Sequence, residues 1–348
     1  MADRKTKQPQ SVETVRDGVT IDDIAKRANV SKSTVSRVLN GSAVVNQQKQ
    51  DAVHQAVIDL DYTPNMFAQG LASGKSMTLG ILTQNIGSPF YAAIAQGVIE
   101  GLAGSGYTPL FVDGGWDHKR EAVSIEALIS RKVDGLLIVG GDIAASELHS
   151  YEKQMPLIVV ARDINGLERR CVSVNNKQIG YMATKHLLEQ RHTQIAFIHG
   201  IEGHPDAQDR FAGHLEALQE AGISRSDELL YQGDFSGHAG LKAVNYLLDQ
   251  GISFSAIVAA NDMVALGSRL ALYRRGIRVP DDVSIIGCDD QAAAAFMTPP
   301  LTTIRQPSYE MGVVASKALL SSISNEDYEW SELAPELQIR ESVKRFTS

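Results

Sequence analysis

TIDDIAKRANVSKSTVSRVLN, residues 20–40, is the stretch on which the reading of this chain turns. Thr20 with Asp23 three residues later makes a capping-box-like helix start: the hydroxyl would accept an N–H, and the acid favours the positive helix end. Ile21, Ile24, Ala25 and Ala28 then recur at helical spacing on one apolar face. Asn29 tolerates the left-handed conformation that ends a helix. Ser31 can cap a second helix, apolar on Val35, Val38 and Leu39 and polar on Lys32, Ser33, Ser36 and Arg37. A third, from about Gln47, carries Val53, Val57 and Leu60. Each is too short to persist alone, so the three must share one small core. The polar face of the second helix suits phosphate and base-edge contacts in a DNA major groove. On these residues alone, a small helical subdomain with a solvated face fits equally well.

Working outward, charge separates this segment from the rest. The 348 residues carry a net charge of −8. Residues 1–75 hold ten Lys/Arg and eight Asp/Glu, net +2, which leaves 23 and 33, net −10, for the remainder. Phosphate would repel that acidic body, so DNA contact must be local to the N-terminal segment. The length allows two or three compact units. No run of about 18 apolar residues is present to span a membrane. Residues 1–19 lack the apolar core of a signal peptide and read as a disordered leader. Cys171 and Cys288 form no CxxC pair and read as free buried thiols of a reducing compartment, which implies the cytoplasm.

From residue 77 short apolar runs alternate with amphipathic stretches. Candidate strands are Thr78–Thr83, Leu110–Asp113, Gly135–Val139, Leu157–Ala161, Ile195–His199, Ala256–Ala260 and Val283–Gly287. Candidate helices between them include Phe90–Gly104, Lys119–Arg131, Gln178–Gln190, Asp209–Ala221, Ala239–Gln250 and Met263–Arg275. Such alternation implies parallel sheets covered on both faces, and two successive runs favour two similar lobes. No GxGxxG follows the first strand and no GxSxG is present. The GKS at 74–76 is no phosphate loop, since position 69 is Gln where that motif requires Gly. His199 and His204 match no zinc spacing and read as a strand and a loop histidine. No cofactor, metal or enzyme activity is implied.

Doubly wound sheets bind ligands at the carboxyl ends of their strands. Polar and aromatic residues recur there: Ser88 to Tyr91, Asp113 to Trp116, Arg162-Asp163, His204 to Arg210, Asp234-Phe235, Asn261-Asp262 and Asp289-Asp290. Arg, Asn and Asp supply directional hydrogen bonds, while aromatic rings can cover the apolar face of a sugar. Any one of them singly reads as well as a strand-end cap or surface turn. Arg162 and Asp206 are nominated on this placement alone.

Residues 20–41 and YTPNMFAQGLASGKS at 62–76 together resemble the LacI/GalR family of bacterial transcription repressors. So do residues 261–290 and PPLTTIRQPSYEMG at 299–312; the likeness spans about 20–345. It implies a small all-α helix-turn-helix DNA-binding domain (20–64), a hinge helix and linker (65–75) and an α/β two-lobed periplasmic-binding-protein-like effector domain. The lobes would comprise 76–172 with 306–333 and 173–305 with 334–348. By the same resemblance Lys32, Ser33 and Arg37 read bases, with Ser31, Thr34 and Asn40 nearer the backbone. Asn65, Ala68 and Leu71 serve the hinge helix in the minor groove, where Leu71 would wedge open a base step. Met66, often Arg in the family, and Gly70 suggest a hinge that orders only on DNA. Phe90, Tyr91, Arg210, Phe235, Asn261 and Asp289 map to the effector pocket. The implied function is a homodimeric repressor of sugar-catabolic genes, released from a palindromic operator by a sugar or glycoside. A partner-protein or nucleobase co-repressor is the alternative, and a solute receptor the remoter one. The chain ends without a leucine heptad tail, which favours a dimer over a tetramer.

Overall fold

A computed structural model describes residues 19–39, 45–62 and 74–347. Asn40 and the hinge positions Asn65, Met66, Ala68, Gly70 and Leu71 lie outside them, as does the expected leader up to residue 18. The chain divides into two compact units, Met1–Gly74 and Lys75–Ser348.

The first unit holds α1 (Ile21–Arg27), α2 (Lys32–Leu39) and α3 (Gln47–Asp59). Every apolar position read from the sequence belongs to its core, which Val30, Ala56 and Tyr62 complete. Asn29 ends α1 at φ 52°. The start of α1 differs from expectation. The Asp23 carboxylate accepts both the Thr20 backbone N–H (3.0 Å) and its hydroxyl (2.7 Å), so the hydroxyl donates instead of accepting. A charged oxygen is the stronger acceptor for that proton. Ser31 caps α2 as expected, its Oγ accepting the Thr34 N–H at 3.2 Å.

The second unit contains two sheets. One runs β2-β1-β3-β4-β5, all parallel: β1 (Thr78–Thr83), β2 (Thr108–Asp113), β3 (Gly135–Val139), β4 (Leu157–Val160) and β5 (Cys171–Val172). The other runs β11-β10-β9-β8-β6-β7, with only β11 antiparallel. Its strands are β6 (Ile195–Ile198), β7 (Leu230–Tyr231), β8 (Ala256–Ala259), β9 (Ser284–Asp289), β10 (Thr302–Arg305) and β11 (Glu336–Gln338). The central strands β3, β4, β6 and β8 are buried at every position. That explains their unbroken apolar runs. The strands absent from the sequence reading are short or polar and have no such run: β5, β7 and β11 lie at sheet edges, and β10 lies between β9 and β11.

The helices of this unit are α4 (Pro89–Gly101), α5 (His118–Ser130), α6 (Ala145–Glu152), α7 (Asn176–Glu189), α8 (Pro205–Glu220), α9 (Gly237–Asp249), α10 (Asp262–Arg274) and α11 (Ser308–Ile323). Pro89 and Pro205 start two of them, so both begin earlier than their apolar spacing suggested; proline is pre-set for the first helical turn. Three helix pairs pack through reciprocal glycines: Gly97 with Gly312, Gly180 with Gly213, and Gly240 with Gly267. A Cβ at any of these would run into the partner's backbone. The chain passes between the sheets from β5 to α7, from β10 to α11, and from α11 to β11, because α11 packs on α4, β3 and β4. These three passages bring the carboxyl ends of both sheets to face one another.

Candidate DNA-reading face and effector cleft

On the N-terminal unit, Ser31, Lys32, Ser33 and Arg37 are exposed along α2, while Thr34 is half-buried. Ser31 Oγ lies 2.8 Å from Ser33 Oγ and 2.9 Å from Thr34 Oγ1, a hydroxyl cluster at the helix start. Lys32 Nζ meets Asp22 Oδ1 at 2.5 Å. Surface pairs of this kind contribute little, on the order of 0–1 kcal/mol, and are readily exchanged for a phosphate. Asn40, Asn65, Ala68 and Leu71 fall outside the described residues.

Between the lobes of the second unit lies a cavity of about 450 Å³. That sits toward the small end of the ligand-pocket range of roughly 300–1,000 Å³. Of the expected effector residues, Phe90, Tyr91, Asp206, Arg210, Phe235, Asn261 and Asp289 all line it. Arg162 does not. Its Nη1 donates to the carbonyls of Gly141 (3.1 Å) and Ile143 (2.7 Å), so the side chain braces the loop after β3. Strand-end position alone could not tell a lining group from a brace.

Arg210 is fixed from several sides. The Gly180–Gly213 contact between α7 and α8 sets its backbone, since a Cβ on Gly180 would strike the Arg210 carbonyl. Its Nε donates to Asn176 Oδ1 at 2.9 Å and its Nη1 to the Ala260 carbonyl at 2.6 Å. The guanidinium carbon lies 5.7 Å from the Phe235 ring centre, a cation–π distance. Phe235 has φ 64°, and its ring occupies the space a side chain at Gly200 would need. Asn261 caps α10 through Oδ1 to the Val264 N–H (2.9 Å) and holds the Phe235 carbonyl through Nδ2 (3.1 Å). Both of its polar atoms are therefore engaged within the protein.

Asp289 and Asp290 both have positive φ, 114° and 54°, which costs least for short polar side chains and glycine. Asp290 is held by Arg340 at 2.6 Å. Asp289 Oδ1 accepts from Gln306 Nε2 at 2.6 Å, and Oδ2 from Gln291 Nε2 at 3.1 Å. Gln306 lies on the passage from β10 to α11. Burial pushes the Asp289 carboxyl up, opposed by Arg210 and by the Gln306 amide. Burial also lifts Asp206 to about 6 against the pull of Arg210, and keeps Tyr91 a neutral phenol, with Asp206 and Asp289 reinforcing the effect.

The cleft carries a chain of rings that the sequence reading noticed only in part. Centre-to-centre distances are 5.2 Å for Phe90–Tyr91, 6.1 Å for Tyr91–Trp116, 4.6 Å for Trp116–His204 and 5.5 Å for His204–Phe235. The Trp116–His204 contact crosses from one lobe to the other. Trp116 sits at φ 57°, its backbone N–H donated to Gln84 Oε1 at 2.9 Å. His204 caps α8, its Nδ1 accepting the Asp206 N–H at 3.2 Å. Burial, aided by Arg210 and Arg162, pulls its imidazole down to about 4. Trp116 and His204 stood in flagged strand-end loops but were not nominated; Gln306 had no local signal. His199, just past β6, is half-buried and packs against the rings of Phe197 (4.8 Å) and Phe211 (4.4 Å). Among the described residues no group of three or more His, Cys, Asp or Glu side chains could hold a metal ion.

A three-helix reading head, followed by a two-lobed parallel-sheet body with a ligand-sized cleft at its strand ends, defines a class: DNA-binding regulators with a ligand-binding domain. Residues 20–65 match the family model for bacterial regulatory proteins of the lacI family. Residues 76–339 match that for periplasmic binding proteins and the sugar-binding domain of the LacI family. The HTH-type transcriptional regulator GalR of Escherichia coli K12 is 34% identical over 88% of this chain and 90% of its own. The ribose operon repressor of Haemophilus influenzae is 34% identical over 93% and 98% respectively. The Lac repressor dimer bound to operator and the anti-inducer ONPF superposes with TM-score 0.85 at 25% identity, covering 94% of this chain and 100% of that one. This chain belongs to the LacI family of bacterial regulatory proteins. It is a DNA-binding transcription regulator and not an enzyme.

Proposed function

We propose that the chain is a homodimeric repressor of sugar-catabolic genes, held on a palindromic operator and released by a sugar or glycoside. The observation that carries this reading is the cleft, where Arg210, Asp206 and Asp289 lie among the rings of Phe90, Tyr91, Trp116 and Phe235. Directional polar groups between aromatic walls suit a polyhydroxylated ring with apolar C–H faces. The ribose operon repressor and a regulator CelR–cellobiose complex (TM-score 0.69, 30% identity, covering 93% of this chain and 99% of that one) support the carbohydrate class.

Lys32, Ser33 and Arg37 would read bases and Ser31, Thr34 and Asn40 the backbone, with Asn65, Ala68 and Leu71 in the minor groove. Two copies would place two heads on two half-sites. An exposed apolar face on α9 and α10, formed by Tyr246, Leu266, Leu270 and a 78% exposed Tyr273, supports a second copy docking there. The ligand acts by binding more tightly to the lobe arrangement that does not hold the hinges together on DNA. The setting is the bacterial cytoplasm, at the nucleoid.

A nucleobase co-repressor is the second reading, favoured by the aromatic walls and by the PurR repressor of Aliivibrio fischeri, 34% identical over 93% of this chain and 98% of its own. A thermal-shift screen against sugars and nucleobases separates the two. Stabilisation by a sugar that also lowers operator affinity in a gel shift is expected. Stabilisation by nucleobases alone overturns the sugar assignment.

A further inference from the structure

The charged groups of the cleft are unbalanced. Among the described residues, Asp206, Asp234 and Asp289 line it against one cation, Arg210, so even with one carboxyl protonated the lining stays negative. Several of the groups that would ordinarily attract an anion are already engaged within the protein. Arg210 has given Nε and one Nη1 hydrogen to Asn176 and Ala260, which removes the lateral Nε–Nη2 fork for carboxylates and phosphates and leaves Nη2 to donate to a ligand oxygen. Of the helix N-termini at the cleft, those of α4 and α9 carry no acid in their first turns, whereas that of α8 carries Asp206. An anion placed at the α8 N-terminus would meet the Asp206 carboxylate before the helix dipole. His204, held neutral by burial, adds no positive charge near pH 7, and Arg162 is tied to carbonyls behind the wall.

What remains unfilled is acceptor capacity. Among the described residues no donor reaches the Asp206 carboxylate, although its atoms are open to the cavity, and Asp289, whose Oδ1 takes Gln306 and the Cys288 thiol, keeps a lone pair on Oδ2 beyond that given to Gln291. Hydroxyl groups complete such a site; further oxyanions do not.

We propose that the cleft selects an uncharged sugar or glycoside and excludes sugar acids and sugar phosphates, through Asp206 and Asp289. This rests on the carbohydrate reading above. The test is isothermal titration of the full chain at pH 7.5 with a panel of pentoses, hexoses and disaccharides, each beside its uronic acid and its phosphate ester, and with nucleobases. An uncharged sugar should bind, and its charged counterparts at least tenfold more weakly. A charged counterpart that binds as tightly or more tightly overturns the charge rule while leaving a sugar-responsive regulator. Binding of nucleobases alone, or of no carbohydrate at all, overturns both. In Asp206→Asn, which preserves shape, the affinity ratio should move at least fivefold toward the uronic acid. Asp234→Asn, exposed at the rim, should move it less. An unchanged ratio in Asp206→Asn removes Asp206 as the discriminating group.

Discussion

The two lobes face the same cavity with different chemistry. Among the described residues, the first contributes Phe90, Tyr91, Trp116 and the Asn85–Pro89 turn, with no charged side chain; the second supplies the charged groups of the lining, together with Phe235 and His204. A ligand held chiefly by hydrogen bonds to one lobe, and covered by rings from the other, can bind before the lobes close. Its energetic preference for the closed arrangement then comes from the aromatic side. In such a division, affinity and response are set by different residues, and the comparison can be broken residue by residue.

The largest effect should come from the second lobe. Arg210→Ala removes the cation between Asp206 and Asp289. The two carboxyls lose the positive charge that opposes their burial, and Asn176 and the Ala260 carbonyl lose their donors; a buried acceptor left unpaired costs roughly 1–3 kcal/mol. Ligand affinity by calorimetry should fall at least about a hundredfold, with thermal unfolding measured alongside. Operator binding by the α1–α3 unit should survive. Arg210→Lys, which keeps the charge but not the planar donors, should recover stability more than affinity. Loss of operator binding in both variants would make Arg210 a structural residue and dissolve the proposed division.

Gly200→Ala ranks next. The added methyl would meet the Phe235 ring, and overpacking of this kind costs typically 1–3 kcal/mol. Phe235 cannot move freely, because Asn261 holds its carbonyl. Lower thermal stability together with weaker ligand binding is expected. Weaker stability at unchanged affinity would show that the Phe235 face is not part of the binding surface.

The N-terminal unit was almost wholly legible in the sequence, since every apolar position at helical spacing lies in its core. Local periodicity suffices when three short helices have nothing else to bury. The central strands were legible for a similar reason, their unbroken apolar runs being buried on both faces. The edge strands and the cleft depend on long-range placement. Gln306 reaches Asp289 only because the chain crosses from β10 to α11, and Arg162 turns away because two carbonyls of the loop after β3 claim its Nη1. The glycine pairs that fix helix spacing, Gly180 with Gly213 among them, look like ordinary helix weaknesses until both partners are seen together.

A smaller, pH-dependent effect separates the lobes again. Burial, opposed by Arg210, holds Asp206 at about 6 where 3.8 is ordinary. The folded chain therefore keeps a proton that the unfolded chain releases between those values. This group's contribution to folding is fully present below the ordinary value and is lost as pH rises through about 6. Ligand hydroxyls that donate to the carboxylate need the opposite state. Affinity should rise with pH over the same interval, weakening about fourfold from pH 7.5 to 5.5 if only the ionised form accepts. Asp206→Asn should flatten that profile; a profile unchanged by the substitution would assign the titration elsewhere.

Among the substitutions, the smallest expected loss of affinity belongs to Trp116, and it is the most discriminating. Its ring meets His204 across the cleft at 4.6 Å and Tyr91 at 6.1 Å. Aromatic contacts of this type are worth about 0.5–1.5 kcal/mol beyond area burial, so Trp116→Ala should weaken ligand binding only about twofold to tenfold. The contact spans the lobes, so its loss should be felt more strongly in closure than in capture. At saturating ligand the variant should release operator less completely than the unsubstituted chain, read as residual binding in a gel shift. Trp116→Phe, which retains a ring, should restore most of that response. Were Trp116→Ala to cost as much affinity as Arg210→Ala, both lobes would share the capture of ligand equally. Were it to leave release complete at saturation, the ring bridge would cover the ligand without coupling it to DNA.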